Sequence, residues 1–192
     1  MTSIAASTTL RASALPKGIA IDIALVSAFA LLNAGAAQIS IPLPFTPVPL
    51  TLQTFAVLLT GSVLGTGRGL ASLALYVAIG SLGAPWFAGG SSGFGGVTFG
   101  YVLGFLLAGA IVGRLAERGA THSISRTILS FTAGTFAIYA VGVPWLMANT
   151  GMNISQALNA GLTPFLLGDL VKAAAAGVLL PGLWKLIQRK DS

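Results

Sequence analysis

Apolar residues in this chain come in long runs, with few of the polar interruptions that mark a helix lying on a water-exposed surface. Six runs stand out, at residues 19–41, 50–64, 69–82, 97–115, 128–147 and 162–187. A run of about 20 apolar residues crosses a hydrocarbon core about 30 Å thick at 1.5 Å per residue. The pattern therefore predicts an all-α integral membrane bundle of six transmembrane helices. The second and third runs are short for that task, and Leu64-Gly-Thr-Gly-Arg-Gly69 between them reads as a tight turn. Together they are expected to form a tilted or partly embedded helical hairpin. Residues 1–18 and 189–192 are expected as cytoplasmic ends flanking a membrane domain at 19–188.

Charge gives the orientation. Arg11 and Lys17 precede the first run, Arg68 lies between the second and third, Arg114, Arg118 and Arg126 flank the connection from the fourth to the fifth, and Lys185, Arg189 and Lys190 follow the last. These cations all fall at alternate connections, and the other three connections carry no charge. By the positive-inside rule both termini are cytoplasmic and the number of spans is even. A secretory signal is the competing reading of the first run, because Ala34-Gly-Ala36 resembles a cleavage site. The run exceeds the usual apolar core of about 7–15 residues and contains Asp22, so it is expected to stay as a helix.

Composition narrows the function. Of 192 residues, 55% are hydrophobic and only 7% charged, far below the roughly 25% of a soluble domain. The net charge of +6 comes from dispersed cations, whereas nucleic-acid binding needs a dense basic face, so no nucleic-acid partner is expected. Without cysteine there is no disulfide, thiol nucleophile or cysteine-built metal site. One histidine and four acids leave little acid–base chemistry, so no catalytic residue, metal or cofactor is expected. A nucleotide-binding motif is also missing, so active transport would draw on an ion gradient or another subunit. Ion-coupled carriers usually have more spans and internal repeats.

The uncharged connections have distinct chemistry. Ile41-Pro-Leu-Pro-Phe-Thr-Pro-Val-Pro49 holds four of the nine prolines, which exclude helix and stiffen an extended path. It is either a rigid cap or a lid over an external cavity, and Thr51, Gln53 and Thr54 follow at its mouth. The connection at 83–96 contains six glycines and no cation, so it is a poor phosphate cradle. Close backbone approach to an uncharged ligand suits it better, with Trp86 and Phe94 as apolar faces.

Asp169 and Lys172 lie within the last run, three residues apart and so on one helix face. An ionisable side chain inside a span costs about 2.5–3.5 kcal/mol on insertion scales and by default faces a functional interior. By the 1.5 Å rise, Asp169 is expected about 10 Å below the outer end of the span. A self-neutralising structural pair is one reading and a proton relay another, although His122 lies at the wrong connection for a relay. The third is ligand recognition, with Lys172 facing a carboxylate and Asp169 accepting ligand N–H groups. A small acid with an amide or ureido head satisfies it. Small residues recur every four positions at Ala20, Ala24 and Ala28, and again at Gly100, Gly104 and Ala108, spacing that permits close helix approach in lipid.

Pro44-Phe-Thr-Pro-Val-Pro-Leu-Thr-Leu-Gln-Thr-Phe55, Trp86-Phe-Ala-Gly-Gly90, Gly100-Tyr101 with Gly104-Phe105, and Gly168-Asp169 with Lys172 occur in this order along nearly the whole chain. Together they resemble the BioY family of biotin transporters. The resemblance implies the substrate-binding S component of an energy-coupling factor (ECF) transporter in a bacterial cytoplasmic membrane. It implies biotin as ligand, with a transmembrane coupling subunit, two ATPase subunits and membrane lipid as partners. It also implies ligand contacts by Asp169 and Lys172, with Gln53, Trp86, Ser91, Ser92 and Tyr101 as further site residues, and coupling-subunit docking on Ala20, Ala24 and Ala28. The family pattern Gly-Pro-Thr-Gly-Gly-Tyr is altered here to Val97-Thr-Phe-Gly-Tyr101, in a loop that also looks shortened, so the polar loop contact to the ureido group falls to Ser91 or Ser92. An S component for another small vitamin and a small facilitator or channel are the alternatives. A membrane enzyme would have only Asp169 and Lys172 to work with.

Overall fold

The computed structural model describes residues 18–190, with side chains described through Lys185. Arg11, Lys17 and the side chains of Arg189 and Lys190 therefore lie outside the described residues, as do residues 1–17 and 191–192. The elements are helix α1 (Ile19–Gln38), a ribbon of β1 (Ser40–Ile41) and β2 (Leu50–Thr51), and helices α2 (Gln53–Ser81), α3 (Phe99–Glu117), α4 (Ile124–Thr150), α5 (Ile154–Gly161) and α6 (Leu166–Lys190). Single 3-10 turns lie at Ala88–Gly90, Ala120–His122 and Thr163–Phe165. Five helical stretches are long and apolar enough to cross a membrane: α1, α2, α3, α4, and Ile154–Lys185, which joins α5 to α6. This is a mostly helical, multi-pass membrane architecture.

The two short apolar runs are the arms of α2. The chain reverses at Gly65, whose φ of 77° and ψ of −174° are readily reached only without a side chain. Gln53 bonds to Tyr76, although 23 residues of straight helix would hold them about 34 Å apart. The reversal closes the hairpin on itself, and α3 seals it backbone to backbone. A Cβ on Gly61 would lie 2.8 Å from the Gly109 carbonyl oxygen, and one on Gly113 would lie 2.7 Å from the Thr66 Cα.

On another side of α3, a Cβ on Gly104 would meet the Ile138 backbone of α4 at 2.9 Å, and Ala108 is fully buried. The stripe at Gly100, Gly104 and Ala108 therefore serves packing inside the bundle. Ala20, Ala24 and Ala28 remain exposed on α1, beside the exposed Ile19 and Ile23.

Two boundaries depart from the sequence expectation. Residues 154–161 form a short helix where a plain connection was expected. Its start is fixed by a reciprocal capping box, the Asn153 side chain accepting from the Gln156 N–H and the Gln156 side chain from the Asn153 N–H. The last long helix begins at Leu166, not 162, because Pro164 sits in a 3-10 turn ahead of it. Asp169 is consequently in the first turn of α6, about 4.5 Å from its start by the helical rise, half the depth expected.

Candidate binding site

The site lies where the ribbon, the first turn of α2, the glycine loop and the starts of α3 and α6 converge. Pairing of Ser40 with Thr51 and Ile41 with Leu50 closes the proline segment into a narrow loop. Thr46 pins the tip of that loop: its hydroxyl donates to the Ala160 carbonyl of α5 (2.7 Å) and accepts from the Val48 N–H (3.1 Å). The prolines thus hold Val48, Pro49, Leu50 and Thr51 along one wall of a cavity of about 120 Å³.

Asp169 and Lys172 form an ion pair of 3.1 Å at that cavity, with side chains only 8% and 16% exposed. The first turn of α6 favours the carboxylate through the positive end of the helix dipole. The Lys172 ammonium donates to the Thr51 carbonyl (2.9 Å), Thr54 Oγ1 (2.7 Å) and Asp169 Oδ1 (3.1 Å), so all three of its protons are engaged. Asp169 Oδ1 also accepts from Thr54 (3.3 Å), and Oδ2 accepts from the Tyr139 hydroxyl of α4. The result is a closed polar network inside an otherwise apolar wall that includes Phe87, Phe99, Phe105, Ile138 and Phe165.

The residues anticipated from sequence separate cleanly. Gln53, Ser91, Ser92, Tyr101, Asp169 and Lys172 all line the cavity. Trp86 is not among its lining residues: its ring stacks on Tyr76 at 6.5 Å, and its carbonyl accepts from the Tyr76 hydroxyl (3.3 Å). Phe94 also points away, 74% exposed and edge-on to Phe99. The aromatic wall from the glycine loop is instead Phe87, which inserts against Gly80, where a Cβ would lie 2.3 Å from the ring. Tyr101 is held by its hydroxyl donating to the Gly161 carbonyl (2.9 Å) and by its ring filling the notch at Gly142.

Tyr139 is the cavity residue that sequence reasoning passed over. Its signal was present, since a tyrosine hydroxyl in the middle of an apolar run needs a buried partner. Nothing in local spacing connects it to Asp169, thirty residues onward.

Residues 6–189 match the family model of the BioY family. The chain belongs to the BioY family. One relative is the "Probable biotin transporter BioY" of Pyrococcus horikoshii, 39% identical over 161 residues that cover 82% of this chain and 93% of that one. Another is the "Biotin transporter BioY" of Thermotoga maritima, 39% identical over 149 residues covering 76% and 86%. Among solved structures, the S-component for biotin from an ECF-type ABC transporter superposes with a TM-score of 0.77 at 25% identity, over 86% of this chain and 92% of that one.

Proposed function

We propose that this BioY-family chain captures biotin at the outer face of a bacterial cytoplasmic membrane, as the S component of an ECF transporter. On this reading the two arms of α2 count as separate membrane-crossing segments, giving six with both termini in the cytoplasm. The chain hydrolyses nothing itself. ATP is consumed by two partner ATPases acting through a transmembrane coupling subunit, which docks on the exposed α1 face at Ala20, Ala24 and Ala28, with lipid around the rest of the bundle.

The observation that carries the proposal is the Lys172–Asp169 pair, buried at an apolar cavity. A buried cation recognises a carboxylate through charge-assisted hydrogen bonds. With its three protons already engaged, Lys172 receives the ligand by exchanging one internal acceptor for the valerate carboxylate. Asp169, anchored by Tyr139 and Thr54, keeps the ammonium aimed during that exchange. Because the pair is only 3.1 Å across, it serves one end of the ligand. The bicyclic ring then lies among the aromatic side chains, with its ureido group toward Gln53, Ser91 and Ser92.

Equilibrium binding to the purified protein tests this with biotin, biotin methyl ester, an analogue that keeps the carboxylate but lacks the ureido group, and riboflavin. Biotin is expected to bind tightly and each modification to weaken it separately. In Lys172→Met, biotin and its methyl ester should bind alike. Failure to bind biotin, or equal binding of acid and ester by the wild type, would overturn the reading.

A further inference from the structure

A second polar group at the cavity is held in one orientation by a chain of hydrogen bonds that ends on backbone. The Gln53 side chain is 4% exposed and lines the cavity, and its amide nitrogen donates to the Tyr76 hydroxyl. Tyr76, fully buried in the other arm of the hairpin, directs its own proton to the Trp86 carbonyl at 3.3 Å. A hydroxyl has one proton, so Tyr76 can only accept from Gln53. The amide is thereby turned with nitrogen toward Tyr76 and oxygen away from it. Among the described residues no donor meets that oxygen.

We infer that Tyr76 is a positioning residue: it fixes the Gln53 amide so that Oε1 is presented to the cavity as an acceptor for a ligand N–H. The inference rests on the biotin reading above and adds to it which group meets the ureido end. Asp169 is less suited to that task, because Oδ1 already accepts from Thr54 and Lys172 and Oδ2 from Tyr139. Three of the roughly four lone-pair positions of the carboxylate are therefore occupied. Gln53 Oε1 has its acceptor capacity intact, and in a buried site an N–H needs such a partner. The relay also explains Trp86, whose contribution is its carbonyl, which terminates the chain of hydrogen bonds, while its ring stacks on Tyr76.

The probes are biotin and its two ureido N-methyl derivatives, one methylated on each nitrogen. Methylation of the nitrogen that faces Gln53 removes the donor and leaves Oε1 unpaired, so the wild type should discriminate between the two isomers by about tenfold. In Tyr76→Phe the amide is free to turn, and most of that discrimination should disappear. Adding Gln53→Glu to Tyr76→Phe should restore it, because either oxygen of a carboxylate accepts whichever way the group turns. A purely structural role for the Tyr76 hydroxyl predicts no such rescue. Thermal unfolding in detergent reports whether each variant folds. Should Tyr76→Phe not fold, Gln53→Met, which keeps length and removes the acceptor, is expected to abolish the discrimination directly. Undiminished discrimination in Tyr76→Phe or Gln53→Met, or absence of rescue in the double variant, would overturn the relay while leaving biotin binding in place. A wild type that binds no biotin would instead overturn the underlying reading.

Discussion

Two ion pairs with the same spacing lie at opposite ends of the bundle. Lys172 and Asp169 are three residues apart on α6, as are Arg114 and Glu117 on α3, and the two contacts are nearly equal in length at 3.1 and 3.3 Å. Their surroundings differ. The α6 side chains are 16% and 8% exposed and fully engaged with Thr51, Thr54 and Tyr139, whereas those of α3 are 63% and 30% exposed. Glu117 serves the scaffold, accepting from the Thr66 N–H (2.8 Å) just after the reversal at Gly65. A pair in contact with solvent contributes about 0–1 kcal/mol, while removing one member of a buried pair leaves an uncompensated charge. Spacing alone therefore does not separate the two pairs. Burial and the partners around each pair do.

The two ends also differ in how they are built. Around Gly61, Gly65, Gly109 and Gly113 the hairpin and α3 touch through backbone, which cannot yield. At the cavity the walls are side chains, and loops close over them. The most damaging substitution should accordingly lie far from the ligand. Gly113→Val would place a side chain 2.7 Å from the Thr66 Cα and should destabilise the protein by about 3 kcal/mol, read as a lowered unfolding temperature in detergent. Biotin affinity of the remaining folded protein should not change. A neutral outcome would dissolve the contrast between rigid and adaptable ends.

At the cavity, Lys172→Met should lower the biotin affinity of the folded protein by about 1.5–3 kcal/mol, the range for hydrogen bonds to charged groups, and should also lower the unfolding temperature because Asp169 loses its cation. Calorimetric titration checks this, and an unchanged affinity would remove the carboxylate assignment. Tyr139→Phe should cost about 1 kcal/mol of affinity by freeing Asp169 Oδ2, again measured by titration. If it costs nothing, the network around Asp169 is packing rather than positioning. The smallest effect is expected for Arg114→Gln, about 0.5 kcal/mol of stability, diminishing in high salt and without influence on binding. A loss as large as that of Lys172→Met would mean that the two pairs are equivalent after all.

Much of the site was legible in the chain. Ionisable groups inside an apolar run are costly enough to mark themselves, which is why Asp169 and Lys172 stand out without any structure. The proline run and the glycine loop were also legible as special backbone, and both do border the cavity. The choice between Trp86 and Phe87 was not legible. Neighbouring aromatic residues in a loop diverge, and which one turns inward depends on a notch at Gly80 and on Tyr76 offering a stacking face, both in another element. The short α5 was hidden because its signal is one capping box and two alanines, weak beside the apolar runs on either side.

The sequence by itself determined that the chain lives in a membrane, where its apolar segments run, and to which family it belongs. These follow from residue-level transfer energies and from contiguous motifs, both of which are local. Tertiary structure alone decided that Tyr139 and Thr54 hold Asp169, that the Thr51 carbonyl meets Lys172 across 121 residues, and that one small-residue stripe is packed while the other is left exposed. Those pairings depend on the register in which separate helices come together. Lipid rewards every apolar face alike, so only side-chain fit and hydrogen bonding between segments could choose among them.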